Sequence, residues 1–395
     1  MIGFDEATAL VVHHTKPLDP RSVLIEAADG LVLAEAVIAD ADSPVVPVSA
    51  MDGYAVRDAD LAAIPARLKV TDKTYAGQTA GPAIAAGECR RIFTGAPLPP
   101  GADRVVVQEM VVRDGDWAVI EAAPGKARHM RAAGSDFRAG DVLVAAGTRL
   151  NAQALVAAAA ADQAEVQAYP RPRVVILGTG DELVAPGQAR RTPGSIPDSV
   201  SLGVAALVRQ YGGEVIGRER LRDDPTALER AAAHALEQAD VVVVTGGASV
   251  GEKDFAKSMF AGHDLELIFE KVAIKPGKPV WMGRAKGRLV VGLPGNPTSA
   301  LVTARLFLAP LIAGLAGGDP AAALAWRTEL LVGELPETGD RDTFVRGASG
   351  GGGVAPLSNQ DSGAQAALAS ADRLIRRNAG TPASPRLTPV EVLDF

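Results

Sequence analysis

The chain of 395 residues exceeds the roughly 250–300 residues that one hydrophobic core can serve, so two to four domains are expected. Hydrophobic residues at 47% and charged residues at 22% exclude a disordered or fibrous chain, and aromatics at only 4% mean cores built mainly from Ala, Val and Leu. A formal charge of −7 without a basic block lacks the electrostatic footprint of a nucleic-acid binder, and a lone Cys89 excludes an internal disulfide framework and a cysteine-rich zinc site.

The opening MIGFDEATALVVHH carries two acidic residues where a signal peptide would be basic and then apolar, so a reducing, cytoplasmic setting is expected. Residues 40–150 are valine-rich runs broken by Gly and Pro clusters such as GAPLPPGAD (95–103), which suits a β-rich domain. Two stretches there, PVSAMDGYAV (47–56) and RRIFTGAPLPPGADRVVVQE (90–109), are too rich in small and polar residues for a plain sheet. Met51-Asp52-Gly53 and Thr94-Gly95 within them read as tight turns or as site residues. The alanine-rich NAQALVAAAAADQAEVQAY (151–169) is a helix on propensity.

From Arg173 to about Gly317, β-branched runs alternate with amphipathic ones, as βαβ units require. RVVILG (173–178), GEVIGRE (213–219), DVVVVTG (240–246) and RLVVGL (288–293) read as strands of a doubly wound parallel sheet whose ligand sites lie at the strand carboxyl ends. Asp198 or Ser199 can cap a helix that stops at Gly212, and Asp224-Pro225 sets a cap before a first-turn proline. The apolar stretch Leu301–Gly318 approaches membrane-spanning length, but Arg305 and Pro310 within it make a buried crossover helix the better reading and no membrane role is expected. After Gly317, TELLVGEL, DTFVRGA and EVLDF read as strands of a small β domain around a flexible tract GASGGGG (347–353).

Three loops follow the strand ends: GTGDEL (178–183), TGGASVGEKD (245–254) and GLPGNP (292–297). Their glycines let backbone N–H groups approach a phosphate. Neither a dinucleotide fingerprint nor a P-loop is complete, because Gly178-Thr-Gly180 lacks its third glycine and Gly251 is followed by Glu252-Lys253. The loops offer carboxylates instead: Asp181, Glu182, Asp223, Asp224, Glu252 and Asp254. Beside a phosphate these imply a hard cation such as Mg²⁺, although Asp224 and Asp254 also fit plain helix caps. In AIKPGKPVWMG (273–283), Lys275 and Lys278 are held by prolines that lower the entropy of presenting two ammonium groups to one anion. The five histidines have no metal spacing, and Cys89 reads as a buried small residue.

In this order, SAMDGYA, RIFTGAPLPPGAD, GTGDEL, RDDP, TGGASVGEKD, AIKPGKP and GLPGNP resemble the MoeA/gephyrin family of molybdopterin molybdenumtransferases, from FDEA (4–7) to NQDSGAQAALASA (359–371). The resemblance implies a multidomain α/β plus β chain: an elongated linker domain (1–45 and 138–171), an inserted β-rich domain (46–137), an α/β pterin-binding domain (172–318) and a C-terminal β-barrel-like domain (319–395). It implies insertion of molybdenum from molybdate into adenylyl-molybdopterin with release of AMP, Mg²⁺ as cofactor, and a homodimer with a cleft shared between subunits. The adenylyltransferase that makes the intermediate and recipient molybdoenzymes are implied partners.

Carried over by motif, Asp52, Thr94, Asp136, Glu182, Asp254, Lys275 and Lys278 match catalytic positions, and Glu182, Asp223, Asp224 and Asp254 match the metal set. Substrate-binding positions are Gly178, Gly180, Asp198, Ser199, Gly246, Gly247, Ser249, Gly251, Pro294, Gly295, Asn296 and Pro297, with Arg346 and Ser362 resembling molybdate contacts. The chain departs from the family pattern at Val200 (for Asn), Glu270 (for an aromatic), Ser135 (for Glu) and Asp361 (for Gly). On this resemblance Val200 weakens a polar contact to the pterin, and Asp361 bears on the match of Ser362.

Overall fold

The structure, a computed structural model, describes residues 1–246 and 255–395. It divides into two compact units: Met1–Ala34, Gly147–Asn151 and Gln167–Phe395 form the first, and Glu35–Ala146 with Ala152–Val166 the second.

The first unit is organised by a six-stranded sheet in the order Glu214–Leu221, Arg173–Thr179, Val241–Thr245, Arg288–Leu293, Trp281–Ala285, Glu266–Phe269. The first four strands are parallel. Side chains alternate across the central strand: Val174 and Ile176 enter one core with Val204, Val208 and Ala300, while Val175 and Leu177 enter another with Leu228, Ala232 and Ala256. Helices therefore cover both faces, which is why these strands read as nearly continuous β-branched runs. The expectation of a wholly parallel sheet needs correction at one edge, where Trp281–Ala285 and Glu266–Phe269 run antiparallel. Neither strand was legible, since WMGRA has little β-branching and LIF is short.

Helix starts follow their local chemistry. Asp198 is 3% exposed, and its Oδ1 accepts from Ser201 N at 3.1 Å ahead of the helix Val200–Gln210. Asp224 accepts from Ala227 N at 2.8 Å, with Pro225 in the first turn of Pro225–Gln238. Ser199 makes no side-chain cap.

The apolar run is one continuous helical segment, Pro297–Leu315, with a π-helical middle at Ala304–Leu308, and 94% of it is buried. It is long and apolar enough to cross a membrane by composition, yet it serves here as the core helix of this unit. Arg305 lies inside it, 5% exposed. Its guanidinium donates to Asp394 O at 2.6 Å and Ala323 O at 2.9 Å.

The C-terminal part carries a second six-stranded sheet: Ile274–Lys275, Asp342–Gly350, Arg373–Arg377, Pro389–Asp394 and Arg327–Leu330 in order, with Gly353–Pro356 paired to Asp342–Gly350. The expected flexible tract GASGGGG is instead a strand end and a hairpin turn. Gly350 pairs with Gly353, and Gly351 and Gly352 between them take φ of +60° and +84°.

The second unit holds a sheet in the order Arg104–Val107, Gly53–Val56, Glu88–Ile92, Ala66–Thr74, Trp117–Ile120, Val111–Asp114, agreeing with its β-rich reading. Cys89 is fully buried in its core and burial pushes the thiol up to about 12, in keeping with a structural residue. The expectation of one helix over 151–169 fails halfway. The helix is Ala152–Ala160, the chain turns through Asp162 at φ +61°, and Glu165–Tyr169 is a strand. Val166 and Tyr169 bring β-preferring side chains where alanine propensity runs out, and Ala168 and Tyr169 pair with Leu33 and Val32.

Replacing Arg305 by Met should leave two carbonyls without donors inside a packed unit, at about 1–3 kcal/mol each. Denaturant unfolding should show a loss of roughly 2 kcal/mol or more; a loss under about 0.5 kcal/mol would mean water reaches those carbonyls.

Candidate functional site

The parallel strands of the first unit end together, and the turns that leave them touch. Gly246, at φ +90°, takes a backbone conformation that side chains resist, and a Cβ there would stand 2.5 Å from Thr179 O. A Cβ on Gly295 would lie 3.3 Å from the Gly246 Cα. Gly246 N donates to Leu293 O at 3.3 Å, joining two neighbouring strand ends. Around these turns opens a cavity of about 720 Å³ whose wall includes Thr179, Gly180, Thr245, Gly246 and the Pro294-Gly295-Asn296-Pro297 turn.

Of the expected residues, Glu182, Asp198, Ser199 and Asp223 also line this cavity, as do Lys278 and the unanticipated Lys271. Val200 lies on the same wall, so the departure at that position faces the cavity. Gly178 does not line it and is instead buried within its strand, opposite Thr245 and Arg220. Asp224 is absent from the wall and engages its carboxylate in the helix cap. Asp181 accepts from Asp223 N at 3.2 Å, which fixes the Asp223 backbone at the rim. Gly247, Ser249, Gly251, Glu252 and Asp254 lie outside the described residues. Among the described residues no three His, Cys, Asp or Glu side chains converge as a metal cluster. Glu182 and Asp223 on one wall still suit Mg²⁺, which takes one or two carboxylates and completes its shell with phosphate oxygens and water.

A second cavity of about 700 Å³ adjoins the first, with Lys278 and Pro279 in both walls. Lys275 and Lys278 are exposed side chains on a tightly held turn. Val272 N donates to Lys278 O at 3.1 Å, Val280 N donates to Gly277 O at 3.0 Å, and Gly277 has φ +108° with Thr303 Cγ2 only 2.2 Å from where a Cβ would stand. Ser362 lines this cavity and accepts from Asn296 Nδ2 at 3.1 Å, tying it to the first. Arg346 lies behind the wall, 1% exposed. It donates to Thr298 Oγ1 at 2.6 Å, Asp361 O at 3.1 Å and Asn359 O at 3.0 Å, so it shapes the loop that presents Ser362. Burial pushes the Arg346 pKa down, with the Asp361 charge opposing the shift. Asp361 accepts from Gly363 N at 2.7 Å and so holds the turn around Ser362 despite replacing a glycine. Sequence reasoning missed Arg341, Thr343 and Arg377 in this wall. Thr343 stands inside the strand-like DTFVRGA, and Arg377 inside LIRR (374–377), a run with no motif to single it out.

In the second unit, Asp52 and Thr94, 42 residues apart, meet. Asp52 Oδ1 accepts from Thr94 N at 2.8 Å and from Thr94 Oγ1 at 2.9 Å. Gly95 N donates to Ser49 O at 2.8 Å and Gln108 N to Asp52 O at 3.1 Å, so both turns are fixed from behind. The two Thr94 hydrogen bonds hold the Asp52 carboxyl below the ordinary aspartate range, with Arg91 assisting. Asp136 is exposed at a separate corner, where its N–H donates to Ser43 O at 3.0 Å beside Ser135. Glu270, in the first unit, accepts from Lys257 at 3.2 Å.

Comparison with known proteins accords with these features. Residues 2–161 match the MoeA N-terminal region (domain I and II), and residues 175–314 match a probable molybdopterin binding domain. A molybdopterin molybdenumtransferase of Nostoc sp. is 36% identical over 340 residues, spanning 84% of this chain and 77% of its own. A molybdopterin molybdenumtransferase 2 of Mycobacterium tuberculosis is 34% identical over 357 residues, with coverage of 88% and 87%. The crystal structure of a molybdopterin biosynthesis MoeA protein from Pyrococcus horikosii superposes with a TM-score of 0.83 at 29% identity, over 99% of this chain and 98% of that one. The fold and its site thus define a protein of molybdenum cofactor biosynthesis. The chain belongs to the molybdopterin molybdenumtransferase family and is an enzyme of that class.

The lowered Asp52 pKa has a definite sign. The carboxylate and its Thr94 contacts persist across neutral pH and are lost only as pH falls through the lowered value. In a carbon-detected NMR titration Asp52 should titrate below the ordinary aspartate range, and Thr94→Val should move it back toward that range. An Asp52 that titrates within the ordinary range would contradict the geometry.

Proposed function

We propose that the enzyme inserts molybdenum from molybdate into adenylyl-molybdopterin and releases AMP in a cytoplasmic setting. In this reading the 720 Å³ cavity takes the adenylylated pterin, with its pyrophosphate against the turns at Gly180, Gly246 and Gly295. The 700 Å³ cavity takes molybdate between Lys275, Lys278 and Ser362. The observation that supports this best is the common wall: Lys278 and Pro279 border both cavities, so one ammonium can face a phosphate and an oxyanion that would otherwise repel.

Mg²⁺ would be held by Glu182 and Asp223, with Asp254 as a further ligand, and when bound it would neutralise pyrophosphate charge. Asp224 enters this set only through an oxygen left over from its cap. The backbone of the Pro294-Gly295-Asn296-Pro297 turn orients the phosphates, and Ser362 donates to the oxyanion. Asn296 fixes the Ser362 hydroxyl, and Arg346 holds the loop that carries it.

Following AMP release against molybdate concentration tests the assignment. Lys275→Ala should raise the molybdate needed for half-maximal release at least tenfold, about 1.4 kcal/mol, with little change in pterin affinity. Lys278→Ala should weaken both ligands, because its side chain borders both cavities. Normal molybdate dependence in Lys275→Ala with weakened pterin binding would transfer that lysine to the phosphate site.

The reading also takes the protein as a homodimer in which the Asp52–Thr94 pair of one subunit acts on substrate bound by its partner. A verified mixed dimer of Asp52→Ala and Glu182→Gln subunits should then regain part of the activity that each variant lacks alone. No recovery would end the shared-site proposal.

A further inference from the structure

Register in the C-terminal sheet sets three polar side chains in one row. Lys275 pairs with Thr343 in a parallel ladder, and Thr343 pairs with Arg377 in an antiparallel one. Directly paired residues project from the same face of a sheet, so Lys275, Thr343 and Arg377 point the same way. Neighbouring strands lie about 4.8 Å apart, which places the two cations roughly 10 Å apart at the backbone with a hydroxyl between them. All three residues line the 700 Å³ cavity.

Arg377 is the unusual member. It is 3% exposed, shares its strand with the apolar Leu374 and Ile375, and takes part in no ion pair among the described residues. Its neighbour Arg376, by contrast, pairs with Asp5 at 2.8 Å and Asp342 at 3.5 Å. Among the described residues its guanidinium makes one hydrogen bond, from Nη2 to Pro382 O at 2.5 Å, and its buried Nε has no partner. Burial pushes its pKa down without a compensating anion. A guanidinium held this way is costly unless an anion matches it. Glu337 and Asp340 also border the cavity, but Asp340 lies 3.7 Å from Arg341, and neither acid is within ion-pair distance of Arg377.

We infer that Arg377 is a binding residue of the oxyanion site, supplying the charge at its inner end that makes the cavity select a tetrahedral dianion over a monoanion of the same shape. The inference rests on assigning this cavity to molybdate. A guanidinium fork presents paired donors to adjacent oxygens, with Lys275 and Thr343 serving the remainder of the ion.

Equilibrium dialysis of the whole protein against molybdate and against perrhenate, an isosteric monoanion, without any pterin, tests this directly. Wild type should prefer molybdate, Arg377→Met should bind molybdate at least tenfold more weakly while perrhenate changes less than threefold, and Arg377→Lys should stay within about threefold of wild type for both. Should Arg377→Met not fold, Arg377→Gln takes its place with the same expected loss. Unchanged molybdate affinity in a folded Met or Gln variant overturns the inference and leaves Arg377 as a tie to the Pro382 loop. Absence of molybdate binding to wild type overturns the cavity's oxyanion assignment itself, a failure distinguishable from the first.

Discussion

The close approach of three strand ends is the constraint on which the site depends. A parallel sheet brings the carboxyl ends of Arg173–Thr179, Val241–Thr245 and Arg288–Leu293 to one edge, and at Gly246 that edge leaves no room for a side chain. Gly246 would clash with Thr179 O if it carried a Cβ, and Gly295 stands directly against Gly246. Glycine at those points leaves empty the space that becomes part of the 720 Å³ cavity. The caps at Asp198 and Asp224 then direct the following helices away from the edge.

The second cavity, of about 700 Å³, depends on a different device. The segment from Val272 to Val280 leaves the α/β sheet region, contributes Ile274–Lys275 to the C-terminal sheet, and returns within a few residues. That excursion gives Lys278 a position on two walls at once. Prolines flanking Lys278 restrict the turn, and Gly277 packs where Thr303 of the core helix leaves no space for a side chain. The buried helix and the cationic turn are therefore mechanically linked, so packing around Thr303 bears on how the lysines are presented.

What the sequence made legible was chiefly local. Four β-branched strands, two helix caps and the glycine-bearing turns follow from periodicity and backbone chemistry, and the motif order carried the family. The antiparallel edge strands were not legible because WMGRA and ELIF carry no alternation, and the strand Glu165–Tyr169 was hidden by the alanine run before it. Arg346 could be named from its motif but not placed, since its four partners come from residues 13 to 48 positions away. Arg377 was invisible for the same reason: its meaning lies in the register Lys275–Thr343–Arg377, which only the folded sheet creates. The Asp52–Thr94 pair likewise joins two turns that each looked self-sufficient.

In the proposed reading a single lysine-bearing turn separates a pterin–nucleotide cavity from an oxyanion cavity. Anomalous diffraction at the tungsten edge, from crystals of the protein equilibrated with tungstate as an electron-dense surrogate for molybdate, tests it most directly. The account predicts a peak bordered by Lys275, Lys278 and Ser362. A peak among the Gly180, Gly246 and Gly295 turns, with none beside Lys275, would contradict it.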